Sequence, residues 1–248
     1  MRFTRFVRRI ILLAALPLLL LAIPAASVAT AGAATTTGWI RLAHLSPNTP
    51  AVDVYLYSFG DSSAQIVLHH VAYGTVSPYE QVPAGDYTVA MRAAGAVATS
   101  AAVISASVDV APGHAYTVAG LGPESGLRLQ VLDDQLSTPS GKAVVRIIQA
   151  SLKQSVVSVN WGSDTLQSSL KFGAVGSYQT VTPGTATLTV SGGGDNATAS
   201  VPLAAGTVHT LVVLDGANGL QIDNLLDAAG SGVAPAGGRH QRVPAARS

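Results

Sequence analysis

Trp39–Leu56 reads WIRLAHLSPNTPAVDVYL, and further along the chain Val144–Trp161 reads VVRIIQASLKQSVVSVNW. Laid over one another, Ile40-Arg-Leu-Ala-His-Leu-Ser46 meets Val145-Arg-Ile-Ile-Gln-Ala-Ser151, and at the same offset Val52-Asp-Val54 meets Val157-Ser-Val159. Two more blocks follow in the same order. Tyr73–Thr88 (YGTVSPYEQVPAGDYT) matches Phe172–Thr187 (FGAVGSYQTVTPGTAT), and Ser107–Thr117 (SVDVAPGHAYT) matches Ser200–Thr210 (SVPLAAGTVHT). Three blocks recurring in one order mark a tandem duplication. Its copies are residues 39–136 and 143–228, joined by a short polar linker, 137–142.

Within each copy the hydrophobic period is two. Val52, Val54 and Leu56 alternate with Asp53, Tyr55 and Tyr57, the pattern of a strand with one face in a core. Val108-Asp-Val110, Ala111-Pro-Gly113 and Tyr116-Thr-Val-Ala119 spell strand, turn, strand. About seven such strands per copy predict an all-β fold of two tandem immunoglobulin-like antiparallel β-sandwich modules. Two short segments, Leu166–Leu170 and Leu225–Ala229, read as possible helical turns.

The ends are different. Arg2, Arg5, Arg8 and Arg9 precede an apolar run from Ile10 to Ile23, and small residues follow at Ala29–Ala33. Residues 1–33 are read as a signal peptide, followed by a linker at 34–38. Fourteen apolar residues are short for a membrane span of roughly 20. The chain is therefore expected to be secreted, extracellular or held in the cell envelope, meeting a membrane only through an uncleaved leader. Residues 229–248 are small, polar and basic and are read as a disordered tail.

Charge is distributed unevenly. Of 14 basic residues, four lie in the leader and three in the last ten positions, so seven face all 13 acidic residues between Gly38 and Gly230. The fold carries about −6, which disfavours nucleic acid as a partner. There is no cysteine, so stability rests on the cores alone.

The pattern formed by Arg41, His44, Ser46, Pro47, Pro50 and Val52-Asp-Val54, then Gly74, Tyr79, Pro83-Ala-Gly85 and Tyr87-Thr88, resembles the bacterial domain-of-unknown-function family numbered 4397. The resemblance spans 39–228. It implies a secreted or envelope β-sandwich and carries no activity with it. The second copy departs from the pattern, with Gln149 for the histidine, Leu152 for the proline, Ser158 for the aspartate and Ala186 for the tyrosine.

Arg41, His44, Ser46 and Asp53 are the candidate site residues, either ligand-binding or structural. Ser46, His44 and Asp53 could form a nucleophile, base and acid. However, Ser46 precedes proline, which favours extended backbone, instead of sitting on a glycine-flanked elbow. The alternative is a proline-pinned corner in which these side chains satisfy backbone groups. The second copy loses histidine and aspartate yet keeps the strands, which favours the corner. Arg41 and its counterpart Arg146 are expected on the solvent face of a strand, their stems laid over apolar neighbours, with Asp53 a possible partner of Arg41.

His69-His70 lacks further ligands for a metal. Asp133-Asp134 and Asp215-Gly-Ala-Asn-Gly219 lack the spacing of a calcium loop. No catalytic residues, cofactor or metal are expected. The chain is expected to be a non-enzymatic envelope-associated or extracellular scaffold, its partner a cell-wall polymer or another envelope protein. The alternative is a secreted carbohydrate-binding module or glycan-active hydrolase with its site in the first copy. Tyr55, Tyr57 and Tyr79 are the aromatic residues that would serve a sugar.

Overall fold

The computed structural model describes residues 36–193, 195–217, 219–230, 234–236, 240–243 and 246–247. The leader at 1–33 and residues 34–35 of the linker at 34–38 lie outside the described residues. The chain is all-β. The first copy contains β1 (Thr37–Leu45), β2 (Val52–Ser58), β3 (Ala64–Val71), β4 (Thr75–Val76), β5 (Glu80–Pro83), β6 (Gly85–Ala93), β7 (Ile104–Val110), β8 (Ala115–Leu121) and β9 (Arg128–Asp134). The second contains β10 (Ala143–Gln149), β11 (Val156–Trp161), β12 (Asp164–Lys171), β13 (Gln179–Val181), β14 (Gly184–Gly192), β15 (Asp195–Leu203), β16 (Thr207–Gly216) and β17 (Gly219–Ala229). Leu166–Leu170 and Leu225–Ala229, read as possible helical turns, lie in strands β12 and β17. Among the described residues no helix is long and apolar enough to cross a membrane.

Each copy folds as two facing sheets. In the first, β4-β1-β8-β9, with β5 also on β1, faces β3-β2-β6-β7. In the second, β13-β10-β16-β17 faces β12-β11-β14-β15. Among the described residues pairing is antiparallel except for β1 with β8 and β10 with β16, which run parallel. The first strand of each sandwich thus lies beside the strand that follows the Pro-Gly or Ala-Gly turn. That placement sets Arg41 opposite Thr117, and Arg146 opposite Thr210. The second residue of β1 is Gly38, where a Cβ would meet Val110 Cγ1 at 2.5 Å and the Ala111 carbonyl at 2.7 Å.

The apolar alternation explains the cores. Ile40 and Leu42 of β1 point inward with Val54 and Leu56 of β2 and Val89 of β6. Val145 and Ile147 of β10 do the same with Val157, Val159 and Leu188. A third core joins the copies. Ala43, Leu45, Ala119 and Leu121 on the other face of the first sandwich pack with Ile148, Val212, Leu214 and Leu225 of the second. The two central sheets are therefore covered on both faces, and β1 and β10 are buried along most or all of their length. Both copies lie in one compact unit, Ala34–Ser248.

Part of the tail expected to be disordered pairs with the second sandwich. His240–Val243 (β18) adds antiparallel to β17, and Ala246–Arg247 (β19) adds to β15.

Candidate functional site

The corner after β1 is held by its own side chains. His44 is buried. Its Nδ1 accepts from the Ser46 amide at 3.4 Å, which leaves Nε2–H to donate to the Pro50 carbonyl at 3.3 Å. Burial holds the His44 pKa below its ordinary value of 6.5, consistent with this neutral ring. Ser46 Oγ lies 2.6 Å from both the Gly122 carbonyl and Thr49 Oγ1. The hydroxyl has one proton, so it donates to the carbonyl and accepts from Thr49.

Gln149 repeats this arrangement in the second copy. Its Oε1 accepts from the Ser151 amide at 2.9 Å, and its Nε2 donates to the Gln154 carbonyl at 2.8 Å. An amide carries a donor and an acceptor on one planar group, as a neutral imidazole does. The histidine has been replaced without loss of either bond.

Asp53 sits elsewhere. It caps a β-bulge on the outer sheet of the first sandwich, where β2 and β3 shift register. Its carboxylate accepts from the amides of His70 at 2.8 Å and Gly95 at 3.0 Å. His70 holds a left-handed φ of 53° there, an uncommon conformation for a residue with a Cβ. The His70 amide, opposed by burial and helped by the Gly95 amide, draws the Asp53 pKa below its ordinary 3.8. His69 Nδ1 lies 3.3 Å away, its ring 64% exposed. Ser46, His44 and Asp53 thus bond to three different sets of backbone groups and do not form a relay. Among the described residues no group of three or more His, Asp or Glu is placed to hold a metal.

The arginines correct the expectation of a solvent face. Arg41 and Arg146 are each only 3% exposed, because the face of the sheet that carries them is covered by the other copy. Nor is Asp53 the partner of Arg41. Arg41 Nε donates to Thr117 Oγ1 at 2.7 Å, and Thr117 donates to Asp134 Oδ2 at 2.5 Å. Arg146 Nε lies 3.2 Å from Thr210 Oγ1, and Thr210 donates to Asp227 Oδ2 at 2.5 Å.

The guanidinium groups then cross between copies. Arg41 Nη2 is 2.8 Å from Asp227 Oδ1, and Arg146 Nη2 is 2.5 Å from Asp134 Oδ1. The first contact is an ion pair without hydrogen-bond alignment. A tyrosine lies over each guanidinium: Tyr79 with its centroid 4.4 Å from Arg41 Cζ, and Tyr178 4.7 Å from Arg146 Cζ. Tyr79 also donates to Asp134 Oδ2 at 2.7 Å.

The eight residues form an approximately two-fold arrangement in which each copy contributes Arg, Thr, Tyr and Asp. Burial opposes both arginine charges, yet the neighbouring carboxylates, Asp227 foremost for Arg41 and Asp134 for Arg146, raise both pKa values. Burial is the main cause that raises those of Tyr79 and Tyr178. The cluster therefore holds two fixed cations and two neutral phenols.

The tyrosines proposed for sugar binding divide. Tyr79 belongs to this cluster. Tyr55 and Tyr57 stack on the outer face of β2, their centroids 6.1 Å apart and planes 14° apart. Tyr55 is buried under Arg92, whose Cζ lies 5.2 Å from its ring, and Tyr57 is half-buried.

The family model for a domain of unknown function, DUF4397, matches residues 38–160 and again 143–239. No curated protein matches the chain. Among solved structures, a carbohydrate-binding module, CBMbc (family CBM26) of Eubacterium rectale Amy13K in complex with maltoheptaose, aligns at 11% identity. The alignment covers 75% of this chain and 95% of that one, with a TM-score of 0.24. A leucine-rich repeat protein from Bacteroides thetaiotaomicron aligns at 13% identity over 67% of this chain and 22% of its own, with a TM-score of 0.22.

Proposed function

We propose that this chain, which belongs to the domain-of-unknown-function family DUF4397, is an exported, non-catalytic scaffold whose two sandwiches act as one rigid body at the cell envelope or outside the cell. The observation that supports this reading is how the chemically capable residues are used. Arg41, His44, Ser46 and Asp53 are all buried, and each is engaged with groups of the protein itself. The net acidic charge of residues 38–230 and the leader-like composition of residues 1–33 agree with a partner outside the cytoplasm, a cell-wall polymer or another envelope protein.

The test is fractionation of a bacterium producing the full chain with a C-terminal tag, with purified cell wall then offered to the exported protein. Recovery outside the cytoplasm and retention on the wall are expected. Cytoplasmic retention, or turnover of model glycosides or esters by the purified protein, would overturn the reading.

A second reading, carbohydrate binding, is favoured by the stacked Tyr55–Tyr57 pair on an outward sheet face, since aromatic rings suit the apolar faces of sugars. Substituting Tyr57→Ala should then abolish retention on glycan. Unchanged retention would remove this reading.

A further inference from the structure

We propose that the loop end of the first sandwich is a binding cleft for a compact aliphatic amine. The duplication supplies the comparison that points there. In the second copy the connections are short, residues 193–194 between β14 and β15 and 217–218 between β16 and β17. That end is plugged by Gln154, which is 3% exposed. It lies so close to the turn that a Cβ at Gly193 would sit 2.4 Å from its Oε1.

In the first copy both connections are longer, 94–103 and 122–127, the latter carrying a 3-10 turn at Glu124–Gly126. The corner there reads Thr49-Pro50-Ala51, with no side chain as long as Gln154. A cleft of about 330 Å³ results, at the lower end of the size of small-ligand sites. Lengthened loops on a rigid scaffold are where sandwiches carry binding sites.

The lining selects the ligand. Val52, Val103, Ile104 and Leu127 give apolar walls, and Glu124 is the ionisable lining residue. The lining contains no aromatic residue, so it offers neither a stacking platform for a sugar ring nor an aromatic cage for a quaternary ammonium. An alkyl body against the walls with an ammonium on Glu124 satisfies both features. The net charge of residues 38–230, about −6, draws cations and opposes carboxylates. The cleft is separate from the buried residues that join the sandwiches, and its occupancy does not depend on the scaffold reading.

The experiment is an NMR titration of the full chain, methyl- and amide-labelled, with pentylammonium, pentanol and pentanoate as probes. Pentylammonium should shift Val52, Val103, Ile104 and Leu127 at the lowest concentration, with pentanol weaker and pentanoate without effect. Glu124→Gln should weaken pentylammonium about two- to fivefold, the range of an exposed ion pair, and leave pentanol unchanged. Ala93→Trp should block pentylammonium and pentanol by filling the cleft. Val103→Trp, at a residue 60% exposed, provides the same test should the first variant fail to fold. Nα-acetyl-lysinamide binding as tightly as pentylammonium would assign the natural amine to a lysine side chain, and weaker binding to a free amine. Pentanoate binding as tightly as pentylammonium, or unchanged binding by a folded Trp variant, would overturn the proposal.

Discussion

Arg41 of the first sandwich lies 2.8 Å from Asp227 of the second, and Arg146 of the second reaches Asp134 of the first. Each arginine is bound through a threonine to its own sandwich and through charge to the other. A buried charge that loses its partner stays desolvated without compensation. Asp227→Asn should therefore destabilise the chain by about 3–5 kcal/mol. The double substitution Arg41→Met with Asp227→Leu should recover much of that loss. Urea denaturation of Arg41→Met, of Asp227→Leu and of the double variant should give a coupling energy of about 1–3 kcal/mol. Additivity would mean that the ion pair does not join the sandwiches.

At equivalent corners His44 and Gln149 each accept from the amide two residues on and donate to a carbonyl across the turn, that of Pro50 and that of Gln154. His44→Gln should thus cost less than about 1 kcal/mol. His44→Leu leaves the Ser46 amide and the Pro50 carbonyl unpaired and should cost about 1–3 kcal/mol. The comparison of the two by thermal or urea melts separates hydrogen bonding from ring packing.

The strands, the duplication and the corner were legible in the sequence, because a period of two and turn residues at Pro-Gly positions are local signals. The arginine cluster was not. A strand arginine among alternating residues reads as solvent-facing unless the other face is known to be covered, and that cover comes from the distant second copy. A signal did exist. Ile147-Ile148 and Leu42-Ala43 place apolar residues on both faces of their strands, the mark of a sheet covered twice. Arg, Tyr and Thr also recur together, as Arg41, Tyr79 and Thr117 and again as Arg146, Tyr178 and Thr210. The matching aspartates, Asp134 and Asp227, lie beyond the aligned blocks. The parallel pairing of β1 with β8 was equally out of reach, since it links segments far apart in the chain.

Stability should fall as the medium is acidified below about pH 6.5. Burial lowers the pKa of both His44 and His209 from 6.5 in the folded chain. Between the folded and unfolded values the unfolded chain binds more protons, so acid favours unfolding there. The contribution is complete above 6.5 and is lost as pH drops toward the folded values. Asp53, whose pKa is lowered from 3.8, adds a second decline below about that pH. Urea midpoints between pH 8 and pH 5 should drop for the natural chain and drop less for His44→Gln. Equal slopes for the two would show that His44 is not protected from protonation.

Tyr73 provides a further bond between the copies, and it has no counterpart. Its hydroxyl donates to the Ala150 carbonyl at 2.8 Å and accepts from the Asp215 amide at 2.8 Å. The equivalent residue in the second copy is Phe172, which has no hydroxyl. The Asp215 carboxylate meanwhile holds the corner of the second sandwich, accepting from Ser151 Oγ and from the amides of Leu152 and Lys153. Tyr73→Phe removes one oxygen and leaves the Asp215 amide without its acceptor, a loss of about 1–3 kcal/mol for a buried group. Because this hydroxyl links the copies, hydrogen exchange at the Asp215 amide should accelerate in the variant, while amides inside the first sandwich, such as those of β6, keep their protection. Faster exchange throughout both sandwiches would show instead that Tyr73 supports the whole fold, and unchanged exchange at Asp215 would show that the bond contributes nothing.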